Sequence, residues 1–348
     1  HRAGPARCGG LPASAQGRSI RRMTDDFLIL RAGEAEGLVT PVEAMDAIAT
    51  AWREYGLRRQ VLSKPSSLSL PAGDTTFKVK GAVLPGAAGF RLVADNRDAA
   101  GETTRDWFWL ADPAGGRPLA LVEAYWLHMI RTAATGALAA RMLARPGTRR
   151  AALIGAGRIA AHVVPALAAA LPGLESLAVA GRRPAAVVAF CAAAPAGLPF
   201  TPHPAAGVAE ACRDADLVVT ITSAAAPVLR AADLAPGATV IGLGDTEIAA
   251  DVLGWADRFV VDDLAFALVT GSVAGWVAAG AITAEAVAAR LDADVGEVAA
   301  GLKPGRRDAS DNVLAVVQGM AVGDLAVVEL ACRAARARGR GLRVALSA

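Results

Sequence analysis

In "AALIGAGRIAAH", Gly155, Ala156, Gly157, Arg158, Ile159 and Ala160 set two glycines and an alanine at the spacing of a phosphate-cradling turn. The first glycine permits the tight turn, the second lets backbone approach a pyrophosphate, and the small third residue lets the next helix pack closely. An apolar run precedes the turn and a helical pattern follows it, so strand, turn and helix N-terminus stand in the order a dinucleotide needs. About twenty residues on, where many dinucleotide enzymes carry an acid for the ribose hydroxyls, "SLAVAGRRPAAV" offers Gly181, Arg182 and Arg183. Two guanidinium forks suit a 2′-phosphate, which favours NADP(H) with NAD(H) as the alternative; the lesser reading is that one or both arginines are solvated surface charge.

Other candidates are single residues. Arg131, in "HMIRTAATGALAARMLA", is expected at the mouth of a helix, where it and the free N–H groups around Thr132, Ala133 and Ala134 form an anion site; read alone, it is equally a surface ion-pair partner. Lys78 and Lys80 alternate in "FKVKGAV" and so share one strand face, as a site or as an exposed edge. Asp245, in "VIGLGDTEIAAD", ends a predicted parallel strand, placed to move a proton or simply solvated in a turn. Thr220, Thr222 and Ser223, after "DADLVV", occupy the matching end of another strand and face the cofactor. His128 and His162 have no nucleophile in a triad-like context, and a structural role is expected for both. Cys8, Cys191, Cys212 and Cys332 show no C-x-x-C spacing and the four histidines add no ligand pattern, so neither a zinc site nor a disulfide framework is expected; this fits a cytoplasmic location.

The elements that must position these residues fall into two rhythms. Residues 1–22 are Arg, Gly, Ala and Ser without periodicity, expected to be a disordered leader or an over-extended start. "TPVEAMDAIATAWREYG" has Thr40 as N-cap, Pro41 at the first helical position and Glu43 closing a capping box. The runs "SSLSLPAG", "FKVKGAVLP", "GFRLVAD", "DWFWLAD" and "RPLALVEA", separated by Gly, Pro and Asp turns, predict an antiparallel sheet and an α+β region. From Arg131 helices and strands alternate, which predicts a doubly wound parallel sheet of Rossmann type. The tail "LAVVQGMAVGDLAVVELACRAARARG" is expected to be one long helix returning to the first region. The division is therefore 23–130 plus about 316–348 for substrate binding and dimerisation, and 131–315 for NAD(P). At 54% hydrophobic with 5% aromatic residues the chain can fill two cores, and no run is long and apolar enough to span a membrane. The net charge of +3 is too small and scattered to argue for nucleic acid.

Together "GGRPLALVEAYWLHMIRTAATGALAARMLAR", "LIGAGRIA", "ADLVVTITSAAAPVL", "GATVIGLG", "FVVDD" and "PGRRDASDNVLAVVQGMAVGDLA" resemble the ornithine cyclodeaminase/mu-crystallin family from Met23 onward. The resemblance implies a homodimer joined through the first region's sheet, with a substrate cavity facing the Rossmann domain. It implies that Arg131 grips the substrate carboxylate, Lys80 lies beside the reacting carbon, Arg59 (or Arg58, in the alternative register) is a further substrate-side arginine, and Asp245 is the catalytic aspartate, followed by a shortened loop. "AGRRP" is similar to the Asn-Arg-Thr stretch of NADP-using members. The chain departs from the family at Gly136, where Ser is usual, and at Ala315 and Val317, which replace Phe and Ser. The activity so implied is NAD(P)-dependent hydride transfer at C2 of an α-amino or α-imino acid, as a ketimine reductase or amino-acid dehydrogenase. The alternatives are a cyclodeaminase converting ornithine to proline and ammonia, and a mu-crystallin-like protein that binds NADPH and a small ligand without turnover.

Overall fold

A computed structural model describes residues 26–98 and 101–346; the expected leader, residues 1–22, lies outside the described residues. The first half runs β1 (Asp26–Leu30), α1 (Pro41–Gly56), β2 (Val61–Leu62), β3 (Leu68–Ala72), β4 (Thr75–Val83), β5 (Ala88–Asp98), β6 (Gly101–Ala111), β7 (Pro118–Glu123) and α2 (Tyr125–Leu143). Then follow β8 (Arg150–Ile154), α3 (Arg158–Ala170), β9 (Ser176–Ala180), α4 (Pro184–Ala192), β10 (Thr201–Pro204), α5 (Val208–Cys212), β11 (Leu217–Thr220), β12 (Thr239–Gly242), α6 (Asp251–Trp255) and β13 (Arg258–Val261). The chain ends with α7 (Leu264–Ala267), α8 (Gly271–Ala278), α9 (Ala284–Arg290), β14 (Ala293–Asp294), α10 (Val295–Ala299), β15 (Val313–Val316), α11 (Ala321–Ala337) and β16 (Leu342–Ala345).

The first sheet has the order β16-β1-β7-β6-β5-β4-β2, with β3 also paired to β4. Because strand side chains alternate, the register Lys80↔Arg91 and Lys78↔Val93 puts these four on one face, while Phe77, Val79, Phe90 and Leu92 point to the other. Helix α1 starts as its sequence requires: the Thr40 hydroxyl accepts from Glu43 N–H, and the Glu43 carboxylate accepts from Thr40 N–H at 2.9 Å. It buries Met45, Ile48 and Trp52 against the inner layer.

The second sheet, β10-β9-β8-β11-β12-β15-β13-β14, is parallel throughout. Strands buried on both faces read as continuous apolar runs, which is why β11, β12, β13 and β15 are wholly buried. Chain order reverses between β8 and β11, and the crevice over the carboxyl ends of those strands is where such folds take ligands. The fold is thus a Rossmann-type α/β sheet beside an α+β layer, with α2 packed against both α1 and α3.

Two expectations need correction. The tail is not one helix: "VLAV" is β15, inserted between β12 and β13, and α11 begins only at Ala321 after a turn at Gln318–Met320. A short, β-branched apolar run does not distinguish buried strand from buried helix by periodicity. Helix α2 begins at Tyr125, so Arg131 lies in its second turn, where its backbone N–H is within the helical ladder. The free N–H groups expected around Thr132, Ala133 and Ala134 are therefore not available to an anion, and only the Arg131 and Thr132 side chains remain as ligands.

Candidate active site

The dinucleotide turn is shaped by one close approach. Gly155 has φ +121°, and a Cβ there would overlap the Ile221 carbonyl at the end of β11, so only glycine lets β8 turn into α3 beside that strand. Gly155 N–H is held by Ala180 O at 2.8 Å, and Gly157 is the N-cap of α3. A groove of about 460 Å³ runs over this turn, lined by Gly155, Ala156 and Gly157, by Arg182 and Arg183, and by Thr222 and Ser223. Neither arginine has an ion-pair partner among the described residues, and both are exposed. A helix N-terminus, a glycine that admits no side chain and two unpaired guanidinium groups fit a phosphorylated dinucleotide.

A second cavity of about 430 Å³ continues from the first, sharing Gly157, Ile221, Thr222 and Ser223. Its mouth is formed by Arg158 and Ile159, with the Arg158 guanidinium 5.2 Å above the Tyr125 ring. Its far wall is the inner face of the first sheet, where Lys80 and Arg91 meet Arg131 from α2. All three converge on Asp324, in the first turn of α11: Lys80 Nζ lies 2.6 Å from one carboxylate oxygen, Arg131 Nε 2.6 Å from the other, and Arg91 Nη1 at 3.7 Å. Arg91 is bonded through Nε and Nη2 to Asp106 on β6. Arg131 Nη1 donates to Gln318 O at 2.7 Å and Nη2 to His128 Nδ1 at 2.9 Å. A guanidinium only donates, so Nδ1 accepts and the imidazole proton sits on Nε2. Burial, with Arg91, Arg131 and Lys80 nearby, keeps that ring neutral, its pKa well below the usual histidine value. Each Nη nitrogen retains one N–H, a pair that matches the two oxygens of a carboxylate.

Burial lowers the Lys80 ammonium to a pKa of about 8 against the opposing pull of Asp324. Asp324 itself is held near 2 because Arg131, Lys80 and Arg91 outweigh its desolvation. The Gln318–Gly319 turn completes this end: Gly319 O accepts from Lys80 Nζ at 2.8 Å, and both turn amides donate to the buried Asp262 of "FVVDD", at 2.5 and 2.9 Å. Burial raises the Asp262 carboxyl to about 6. Gly319, at φ +94°, could bear no Cβ without striking the Arg131 guanidinium. Asp245, just after β12, lines the same cavity beside the Gln318 side chain and is exposed.

Lys80, Arg131, Thr132 and Asp245 are therefore brought together with Gly157, Arg158, Ile159, Thr222 and Ser223. Three expected residues lie elsewhere. Arg59 is exposed and pairs with Glu54 at 3.3 Å; Arg58, at φ +59°, stacks its guanidinium 6.0 Å from the Tyr55 ring; neither lines the cavity. Thr220 is buried beneath the groove, its hydroxyl donating to Glu247 at 2.8 Å. Glu247 also accepts from the N–H groups of Thr222 and Gly244, tying the ends of β11 and β12 together. Gly136 is explained by Leu243, whose Cδ1 would lie 2.7 Å from a Cβ at that position. Asp324, Arg91, Asp106, Gln318, Asp262 and Glu247 also build the site, and none of them was among the residues expected from the sequence. The available signals were charged or polar residues inside apolar runs: Asp324 in "AVGDLAVV" and Gln318 closing "VLAVVQ". His128, expected to be structural, holds Arg131 in the cavity wall.

Residues 26–338 match the model of the ornithine cyclodeaminase/mu-crystallin family. The chain is 32% identical to an alanine dehydrogenase of Archaeoglobus fulgidus, covering 92% of this chain and 98% of that protein. It is 28% identical to a delta(1)-pyrroline-2-carboxylate reductase of Bacillus cereus, over 91% and 99%. Among solved structures it superposes on an archaeal alanine dehydrogenase dimer with bound NAD at a TM-score of 0.82 and 28% identity, covering 92% of this chain and all of the other.

Proposed function

The chain belongs to the ornithine cyclodeaminase/mu-crystallin family, and on that premise we propose that it is an NADP(H)-dependent reductase or dehydrogenase acting at C2 of a small α-imino or α-amino acid. The observation that carries the reading is that Lys80, Arg131 and Asp245 surround one cavity continuous with the dinucleotide groove. When bound, NADPH would supply the hydride that reduces C2, and the substrate nitrogen would then take a proton. Arg131, its fork set by Asp324, Gln318 O and His128, binds and orients the carboxylate. Lys80 presents an ammonium beside C2 that polarises the C=N group and stabilises charge as it shifts to nitrogen. Asp245 moves the proton between the substrate nitrogen and water. Phe266, whose ring centre is 5.5 Å from Lys80 Nζ, and the buried Leu243 give that end an apolar lining.

Arg182 and Arg183, unpaired on the wall of the groove, support NADP(H) over NAD(H). The relatives' names support amino or imino acids as substrates, and the NAD-bound dimer supports both a dinucleotide site and a paired assembly. Six apolar residues exposed on the outer face of the first sheet, Val61, Leu68, Leu70, Phe77, Val83 and Phe90, support that sheet as the homodimer surface.

The test couples cofactor and substrate. Fluorescence titration is expected to show NADPH bound at least tenfold more tightly than NADH, a difference of about 1.4 kcal/mol, and Arg182→Ala with Arg183→Ala is expected to abolish the preference. Stoichiometric NADPH oxidation on adding a cyclic imino acid then supports reduction. Release of ammonia from ornithine without net NADPH oxidation assigns cyclodeamination instead, and cofactor binding without either reaction assigns a binding protein.

A further inference from the structure

The Gln318–Gly319 turn touches each of the three groups on which the proposed reaction depends. Its main chain reaches Arg131 through Gln318 O at 2.7 Å and Lys80 through Gly319 O at 2.8 Å. Its side chain reaches the neighbouring strand end, because β15 and β12 are paired at Val316 and Gly242, and there Gln318 Nε2 lies 2.8 Å from Gly244 O and 3.2 Å from Asp245 Oδ1. A carbonyl oxygen only accepts, so the face of the Gln318 amide turned to Gly244 must be its NH₂, and the same nitrogen has a second N–H for Asp245. The turn itself is fixed from behind by Asp262, which accepts both of its N–H groups. Gly271, at φ +81°, leaves the room in which the Gln318 side chain lies, since a Cβ there would be 2.6 Å from its amide carbon.

We propose that Gln318 is a positioning residue, whose amide holds the Asp245 carboxylate at the height of the substrate nitrogen while its own main chain sets the arginine that holds the substrate carboxylate. Asp245 is otherwise an exposed side chain in the bend after β12, and an unrestrained side chain is free to exchange among staggered rotamers. Each added N–H contact removes part of that freedom, and a proton-transfer group gains most from being held in line with its target. The two ends of an amino acid, carboxylate and nitrogen, are thereby referenced to a single residue. The inference rests on the proposed role of Asp245.

Three variants separate the possibilities. Gln318→Leu removes the side-chain donor and leaves the main-chain carbonyl that meets Arg131. The expected result, with Δ1-pyrroline-2-carboxylate as substrate, is a kcat at least tenfold lower and a larger solvent isotope effect. Binding of pyrrole-2-carboxylate, read by quenching of bound NADPH fluorescence, is expected to stay within twofold. Gln318→Glu keeps the shape but sets a carboxylate against Asp245, and its kcat is expected to fall at least as far. A fully active Glu variant overturns the proposal, as does a Leu variant that loses carboxylate binding and kcat together, which is the signature of a merely structural turn. Asp245→Asn run alongside distinguishes the two claims: if it keeps full activity, the role of Asp245 itself fails. A crystal structure of the Leu variant with NADPH reads the geometry without turnover; Asp245 displaced while Arg131 still meets the residue 318 carbonyl supports the proposal, and Asp245 unmoved overturns it.

Discussion

At the scale of residues, the site is governed by how buried charges share one carboxylate. Lys80 has a pKa of about 8, lowered by burial and raised by Asp324. The ammonium polarises the substrate, so kcat/KM, which reports the free enzyme, is expected to hold below pH 8 and to fall with one proton as pH rises through that value. Asp324→Asn removes the charge that opposes desolvation, so the same limb is expected at lower pH; a limb that stays in place separates Lys80 from the pH dependence. Asp324→Asn also leaves Lys80, Arg91 and Arg131 short of a partner, and breaking a buried pair in this way costs about 3–5 kcal/mol, to be read as a lowered midpoint of thermal unfolding. The sequence carried half of this cluster. Read alone, Arg131 and Lys80 were equally surface charges, and it was the resemblance to the family that marked them as the residues beside the substrate's carboxylate and its reacting carbon. Asp324 lies 193 residues from Arg131, and nothing local to α11 shows what its acid will meet.

At the scale of elements, function depends on how strand ends are joined. Glu247 lies in the loop after β12, yet its carboxylate accepts from the Thr220 hydroxyl at the end of β11, from Thr222 N–H and from Gly244 N–H. Thr222 lines both cavities and Gly244 adjoins Asp245. Glu247→Ala would leave three donors without that acceptor, at about 1–3 kcal/mol for each that stays unsatisfied. The expected outcome is weaker NADPH binding and a lower kcat, with less effect on carboxylate binding, because the Arg131 fork belongs to α2 and α11. Fluorescence titration with NADPH and with pyrrole-2-carboxylate measures the two separately, and equal losses in both would remove Glu247 from this role. The parallel sheet was legible because its strands are apolar runs between helical patterns, and the first sheet because its side chains alternate. The β15–α11 junction was not legible, since "VLAVV" and "LAVVELA" are both built chiefly from Val, Leu and Ala and only tertiary pairing makes the first a strand. The start of α2 was displaced for a related reason: Ala124 caps it without a side-chain bond, so no capping residue marks the boundary.

At the scale of the whole molecule, the first sheet faces two ways, and the same alternation serves both. Its inner face carries Lys78, Lys80 and Arg91 toward the cavity, and its outer face exposes Leu68, Leu70, Phe77 and Phe90. Exposed apolar side chains in contiguous register mark an association surface more often than an ordinary solvated face. A second copy covering that face would also stiffen β4 and β5 from behind, and these are the strands that hold Lys80 and Arg91. Leu70 and Phe77 are cross-strand partners, so Leu70→Asp with Phe77→Asp puts two like charges side by side on the surface. Sedimentation is expected to show the native chain as a dimer and this variant as a folded monomer. Loss of the pairing is further expected to lower kcat while the cofactor groove, which is built on the other sheet, keeps its affinity for NADPH. If the variant remains dimeric, the subunits join elsewhere; if it becomes monomeric with kcat intact, the outer face serves assembly without supporting the residues behind it.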